Sequence, residues 1–193
     1  MNTEPLWAIY VNATLINNFV LALFLGICPF LGVSNKLDTA ARMGAAVTFV
    51  LVVSSASAFG IERLLTALDA SYLRLIAFIA VIASTVQLVE MFIKKTSPSL
   101  FRALGIYLPL ITTNCAILGL ALFQTNKGYG FAQCLVYALG AGSGFTLALV
   151  LMAGLREKLA LGAVPDVAQG TALALLLAGL LSVAFMGFGG LSG

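Results

Sequence analysis

The sequence predicts an all-α integral membrane protein of six transmembrane helices, built as two inverted three-helix repeats with spans one and four broken into half-helices. Three observations predict it: an extreme composition, six apolar runs of spanning length, and a short motif that occurs twice. Of 193 residues, 61% are hydrophobic and 9% charged, where soluble domains carry about 25% charged residues. The mean hydropathy is +1.09. No hydrophilic segment is long enough for a second domain, so residues 1–193 read as a single membrane domain. The first apolar run starts near Trp7 without a basic lead-in or a small-residue cleavage site, and no removable signal peptide is expected. The net charge of +3 is spread over loops. The expected environment is a lipid bilayer, and no nucleic-acid surface is expected.

A hydrocarbon core of about 30 Å needs about 20 apolar residues per helix. Six runs meet this: 8–33, 43–61, 73–93, 103–123, 132–153 and 169–188. Loops one, three and five hold Lys36, Arg42, Lys94, Lys95, Arg102, Arg156 and Lys158, seven basic residues against three (Arg63, Arg74 and Lys127) in loops two and four. Basic loops favour the cytoplasmic side, so both termini are expected to face outward.

CPFLG at 28–32 and CAILG at 115–119 share C-x-x-L-G, 87 residues apart; GIERLL at 60–65 and GLREKL at 154–159 are 94 apart. The seven extra residues fit an insertion around NKGYGFAQ, 126–133. Each match falls at the same place in a three-span unit, with repeat one about 1–96 and repeat two about 97–193. Three spans is an odd number, so tandem units must lie in opposite orientations. Interrupted spans at matching positions of inverted halves point to a functional site near the midplane. Span one has Gly26, Pro29 and Gly32 around Cys28; span four has Pro109, then Thr112, Thr113 and Asn114 before Cys115. Proline removes a helix hydrogen bond, and Thr and Asn side chains can satisfy the freed backbone groups. Both cysteines are therefore expected at the tips of half-helices that approach each other.

Histidine is absent, which removes imidazole from any metal site, proton relay or nucleophilic pair. Three cysteines remain, without C-x-x-C spacing. Cys134 has no counterpart in the first half and reads as packing. Cys28 and Cys115 can be a disulfide, half of a four-thiolate site, or reactive thiols. A disulfide leaves the polar residues beside Cys115 unexplained, whereas a cluster with four thiolates would need a second subunit to donate two. Hydrogen bonds from Asn114 and Thr113 would then tune it. The rival reading is an inverted-repeat secondary transporter that binds a small solute or ion at the midplane; a third is a membrane scaffold.

Other features have plainer readings. Asn17 and Asn18 on span one read as helix–helix hydrogen bonding, with support of the broken helices or an ion path as the alternative. Glu62, Arg63, Arg156 and Glu157 read as interface anchors, and the glycine-rich AGSGF at 141–145 as close helix packing.

INNFVLALFLGICPFLG at 16–32 and LPLITTNCAILG at 108–119 resemble the signature segments of the RnfA/NqrE family, and the length and span count fit along the whole chain. The resemblance implies a subunit of a redox-driven ion pump of the ferredoxin:NAD oxidoreductase type, not catalytic alone. In that family the subunit pairs with a homologous one of opposite orientation, RnfE or NqrD. The pair holds a [2Fe–2S] cluster in the membrane through two cysteines from each. Carried over, the ligands here are Cys28 and Cys115, with Asn114, Thr113 and Pro29 in support. The implied complex contains further subunits (B, C, D and G in the Rnf case) and sits in the bacterial inner membrane. It couples electron transfer to Na⁺ or H⁺ movement.

Overall fold

The computed structural model describes residues 5–69, 71–96, 111, 113–162 and 170–189, and the regular structure among them is helical throughout. In chain order the helices are α1 (Leu6–Val11, continued by a π-helical turn Asn12–Ile16), α2 (Ile27–Val33), α3 (Leu37–Ala67), α4 (Arg74–Thr96), α5 (Cys115–Asn126), α6 (Phe131–Ala160) and α7 (Thr171–Gly189). Four of them, α3, α4, α6 and α7, are long and apolar enough to cross a bilayer. They coincide with predicted spans two, three, five and six. Span one is divided as expected, into α1 with its π turn and α2. Of span four, the second half is α5; its earlier part, with Pro109 and Thr112, lies outside the described residues, as do the loop residues Arg102 and Asp166.

The core is one antiparallel helix pair. Contacts run the whole length of α3 and α6: Leu37 N–H donates to Glu157 Oε1 (2.9 Å), Ser55 Oγ donates to the Cys134 carbonyl (3.1 Å), and Phe59 meets Phe131 edge to face at 5.5 Å. Midway the helices cross with almost no space between them. A methyl group on Gly44 would lie 2.5 Å from Thr146 Cγ2, and one on Gly142 would lie 2.6 Å from Thr48 Cγ2. Each threonine hydroxyl bonds back to the carbonyl of the glycine one turn earlier, Thr48 to Gly44 (2.7 Å) and Thr146 to Gly142 (2.8 Å). Small residues in a membrane helix let backbones approach where lipid offers no hydrophobic drive. The AGSGF segment is thus a packing surface: Gly144 also lies against the Thr14 carbonyl of span one, 2.7 Å from where its Cβ would be.

The corresponding helices α3 and α6 therefore run in opposite directions, as inverted units require. The reciprocal Gly–Thr contacts relate them at a spacing of 98 residues, four more than GIERLL and GLREKL suggest, or about one helical turn. The third helix of each half packs on the broken span of the other: α4 against α5, and α7 against the π turn after α1. Their outer faces carry exposed Leu88, Met91 and Phe92, and Leu180, Val183 and Met186, which suits contact with acyl chains.

Candidate functional site

The break in span one lies upstream of the cysteine. Residues 17–26 leave the helical path, and Asn18, fully buried, organises them. Its Nδ2 donates to the Gly144 carbonyl (2.8 Å) and the Thr14 carbonyl (3.1 Å); its Oδ1 accepts from the N–H groups of Val20 (3.0 Å) and Leu21 (3.3 Å). Ser182 of α7 donates to the freed Leu21 carbonyl at 2.7 Å. Two residues carry positive φ, Phe24 (56°) and Gly26 (81°), and the turn they make starts α2. Non-helical backbone at membrane depth persists only when protein satisfies it, and here the side chains of Asn18 and of Ser182 in α7 help to do so.

Pro29 corrects the expectation placed on it. It is buried at the third position of α2, in the first turn, where a missing N–H leaves no bond unmade. It begins the second half-helix and does not break the first. Cys28 precedes it and is exposed. At the far end of α2, Arg156 donates to the Leu31 carbonyl (3.1 Å) and to Ser34 Oγ (3.0 Å). Arg156 and Glu157, expected as interface anchors, instead brace the connection from α2 to α3.

Cys115 opens α5 and is also exposed. Asn114 is its N-cap, with Oδ1 accepting the Ala116 N–H at 3.0 Å, the preferred arrangement for an asparagine in that position. The Asn114 Nδ2 is buried and has no partner among the described residues. Thr113 is exposed in the turn before it.

The two tips touch. The Gly26 N–H donates to Cys115 Sγ at 2.9 Å, and a methyl on Gly26 would lie 3.0 Å from Asn114 Oδ1 and 2.7 Å from Phe145 Cε2. Glycine is needed there twice, for its φ and for its lack of a Cβ. Leu25 likewise packs where a Gly119 side chain would be. Beside the Cys115 tip, α4 leaves a cleft of about 400 Å³ between Ile79, Ile82 and Ala83 and the Thr113–Cys115 turn. Cys28 and Cys115 are free thiols, and among the described residues they join no third His, Cys, Asp or Glu in a metal-binding group. Cys134 is buried within α6, 3.7 Å from the Tyr129 carbonyl, a packing residue as expected.

Sequence reasoning missed two anchors. One is Ser182, whose hydroxyl is indistinguishable in sequence from any other serine in an apolar run. The other is Ser55 with Gln124, a buried pair joined by Ser55 Oγ to Gln124 Oε1 (2.6 Å) and Gln124 Nε2 to the Ser55 carbonyl (3.1 Å).

Fold and site together define a class: a polytopic membrane protein whose halves each contribute a cysteine at the start of a helix, with the two tips in contact. Within that class, the chain belongs to the Rnf–Nqr family: the description "Rnf-Nqr subunit, membrane protein" matches it over residues 6–192. It is 58% identical over 189 residues to the A-type subunit of the ion-translocating oxidoreductase complex of Syntrophotalea carbinolica, covering 97% of this chain and 98% of that one. To the subunit of the same description from Azoarcus it is 55% identical over 183 residues, covering 94% and 95%. To the A-type subunit of the Na⁺-translocating ferredoxin:NAD⁺ oxidoreductase complex of Acetobacterium woodii it is 54% identical over 184 residues, covering 95% and 96%. The resemblance read from 16–32 and 108–119 thus extends along nearly the whole chain.

Proposed function

We propose that this chain is the A-type membrane subunit of an ion-translocating oxidoreductase complex of the bacterial inner membrane, with both termini outward. In this reading it contributes Cys28 and Cys115 as half the ligands of a [2Fe–2S] cluster. The observation that supports the reading is the contact between the two tips: Gly26, two residues before Cys28, directs its N–H at Cys115 Sγ, and both thiols are free and exposed. The donor chemistry fits such a group. Clusters of this type take thiolates, and hydrogen bonds to their sulfurs set the potential. Gly26 N–H is one such donor, and Asn114 Nδ2 is a buried donor in need of an acceptor.

When bound, the cluster supplies a one-electron carrier within the membrane. The rest is the work of this chain's residues. Asn18 and Arg156 hold the Cys28 tip, Asn114 caps the Cys115 helix, and Phe145 closes the space beneath Gly26. A homologous subunit of inverted orientation would supply the other two thiolates against the exposed side. The remaining subunits of the complex would deliver and remove electrons.

The test is EPR of the dithionite-reduced complex, purified with and without Cys28→Ser and Cys115→Ser. Loss of one [2Fe–2S] signal from an otherwise assembled complex is expected in both variants. An unchanged spectrum would remove the ligand assignment and favour the transporter or scaffold reading.

A further inference from the structure

One hydrogen bond joins the two tips, and it is one-sided. The Gly26 N–H donates to Cys115 Sγ at 2.9 Å, while the Gly26 carbonyl accepts from the Phe30 N–H at 3.3 Å and so opens the helix that carries Cys28. The donor belongs to the first half and the sulfur to the second. No reciprocal bond exists: among the described residues no hydrogen bond reaches Cys28 Sγ, whether from Thr113, which matches Gly26 at the 87-residue spacing, or from any other group.

The backbone explains the difference. Cys28 is followed by Pro29, which has no N–H, and the next N–H, of Phe30, is already used by Gly26. After Cys115, the N–H groups of Ala116 and Ile117 are taken by the Asn114 side chain (3.0 Å) and carbonyl (3.1 Å). Neither cysteine is served by the two residues that follow it, and Gly26 supplies what Cys115 accepts. The direction of its N–H is fixed by packing. Gly26 has φ 81°, and a Cβ there would lie 2.7 Å from Phe145 Cε2, 3.0 Å from Asn114 Oδ1 and 3.5 Å from Ala116 Cβ. Helix α6 and the Cys115 turn thus hold the peptide from two sides.

A hydrogen bond to a ligand sulfur draws charge from it. It stabilises a cluster more after reduction, which adds negative charge, than before. We infer that the Gly26 amide is a tuning donor for the proposed cluster. It raises the reduction potential through the Cys115 thiolate and leaves the Cys28 thiolate, which has no donor among the described residues, the more electron-rich ligand. This inequality rests on the cluster reading above, and the repeated motif alone does not show it.

Pulsed EPR tests it on the dithionite-reduced complex, from cells fed ¹⁵N-glycine with the other amino acids unlabelled. The coupling is read at the [2Fe–2S] signal that Cys115→Ser removes. Spin density passes through an N–H···S bond, so a glycine ¹⁵N should couple to the cluster. Gly26→Ala places unlabelled nitrogen at that position and strains the peptide. It should lose the coupling and lower the reduction equilibrium constant by about tenfold, or about 59 mV for one electron. If this variant does not assemble, Gly26→Ala with Phe145→Leu takes its place, because the second change removes the ring edge that the new Cβ meets. A cluster signal without a glycine coupling, a coupling that survives in the variant, or a potential that does not move overturns the tuning role and leaves the cluster reading intact. If Cys115→Ser removes no signal, the cluster reading itself fails, and the tuning role with it.

Discussion

The two cysteine-bearing tips occupy matching places in the two halves but are held by different means. Cys115 begins a 12-residue helix that caps itself, through the Asn114 side chain one residue away. Cys28 sits in a seven-residue helix whose N-cap, Gly26, has no side chain to offer. Its support comes from far along the chain: Gly144, Arg156 and Ser182 all bond to residues 18–34. A short isolated helix is unstable by itself because nucleation is costly, so the first tip depends on the second half of the molecule. The lesson is that a repeat can preserve the position of a functional group while transferring its support from local sequence to tertiary contact.

Substitutions can break or sharpen this contrast. The largest effect is expected from Asn18→Ala, which leaves the Val20 and Leu21 N–H groups without their acceptor in a buried segment and removes the bond that ties it to α6 at Gly144. At about 1–3 kcal/mol for each unsatisfied group, the loss should reach about 4 kcal/mol and appear as failure to assemble, read as the yield of intact complex. Gly26→Ala should follow, at about 3 kcal/mol. A left-handed non-glycine residue costs about 1–2 kcal/mol, and overpacking against Phe145 about 1–3. A large fall in the thermal midpoint of the solubilised complex would register it.

Arg156→Gln should cost about 2 kcal/mol, since the lost bonds to the Leu31 carbonyl and Ser34 are charge-assisted. Asn114→Ala removes a single N-cap and should cost about 1 kcal/mol. The order matters more than either value. If the midpoint falls further for Asn114→Ala than for Arg156→Gln, the contrast between locally and remotely supported tips is wrong. The smallest effect is expected at the Gly–Thr crossing. Thr48→Val and Thr146→Val each remove the 3.4 Å hydroxyl–hydroxyl contact between these two residues across the crossing and should each shift stability by about 0.6 kcal/mol, the mean for interhelical polar contacts in a membrane, and by equal amounts. Unequal shifts would show that the crossing is not a true symmetry element.

Much of this was legible in the residues. The apolar runs located α3, α4, α6 and α7, because a run of about 20 apolar residues has few alternatives to a spanning helix. The C-x-x-L-G repeat located both tips. Local propensity misled at Pro29, where a proline that starts a helix looks in sequence like one that stops it. Arg156 and Glu157 were read by the depth of their helix end, while their use as braces depends on a loop more than 100 residues away.

What the sequence by itself determined is the set of spans, the doubling of the motif, and the identity of the thiols, since these follow from hydropathy and residue type. Only the tertiary structure decided that α3 and α6 cross at Gly44 and Gly142, that Asn18 and Ser182 satisfy the unwound segment, and that Gly26 turns its N–H to Cys115. Hydrogen bonds between distant segments depend on how close two backbones come, and in lipid that approach is set by which small residues meet at the crossing.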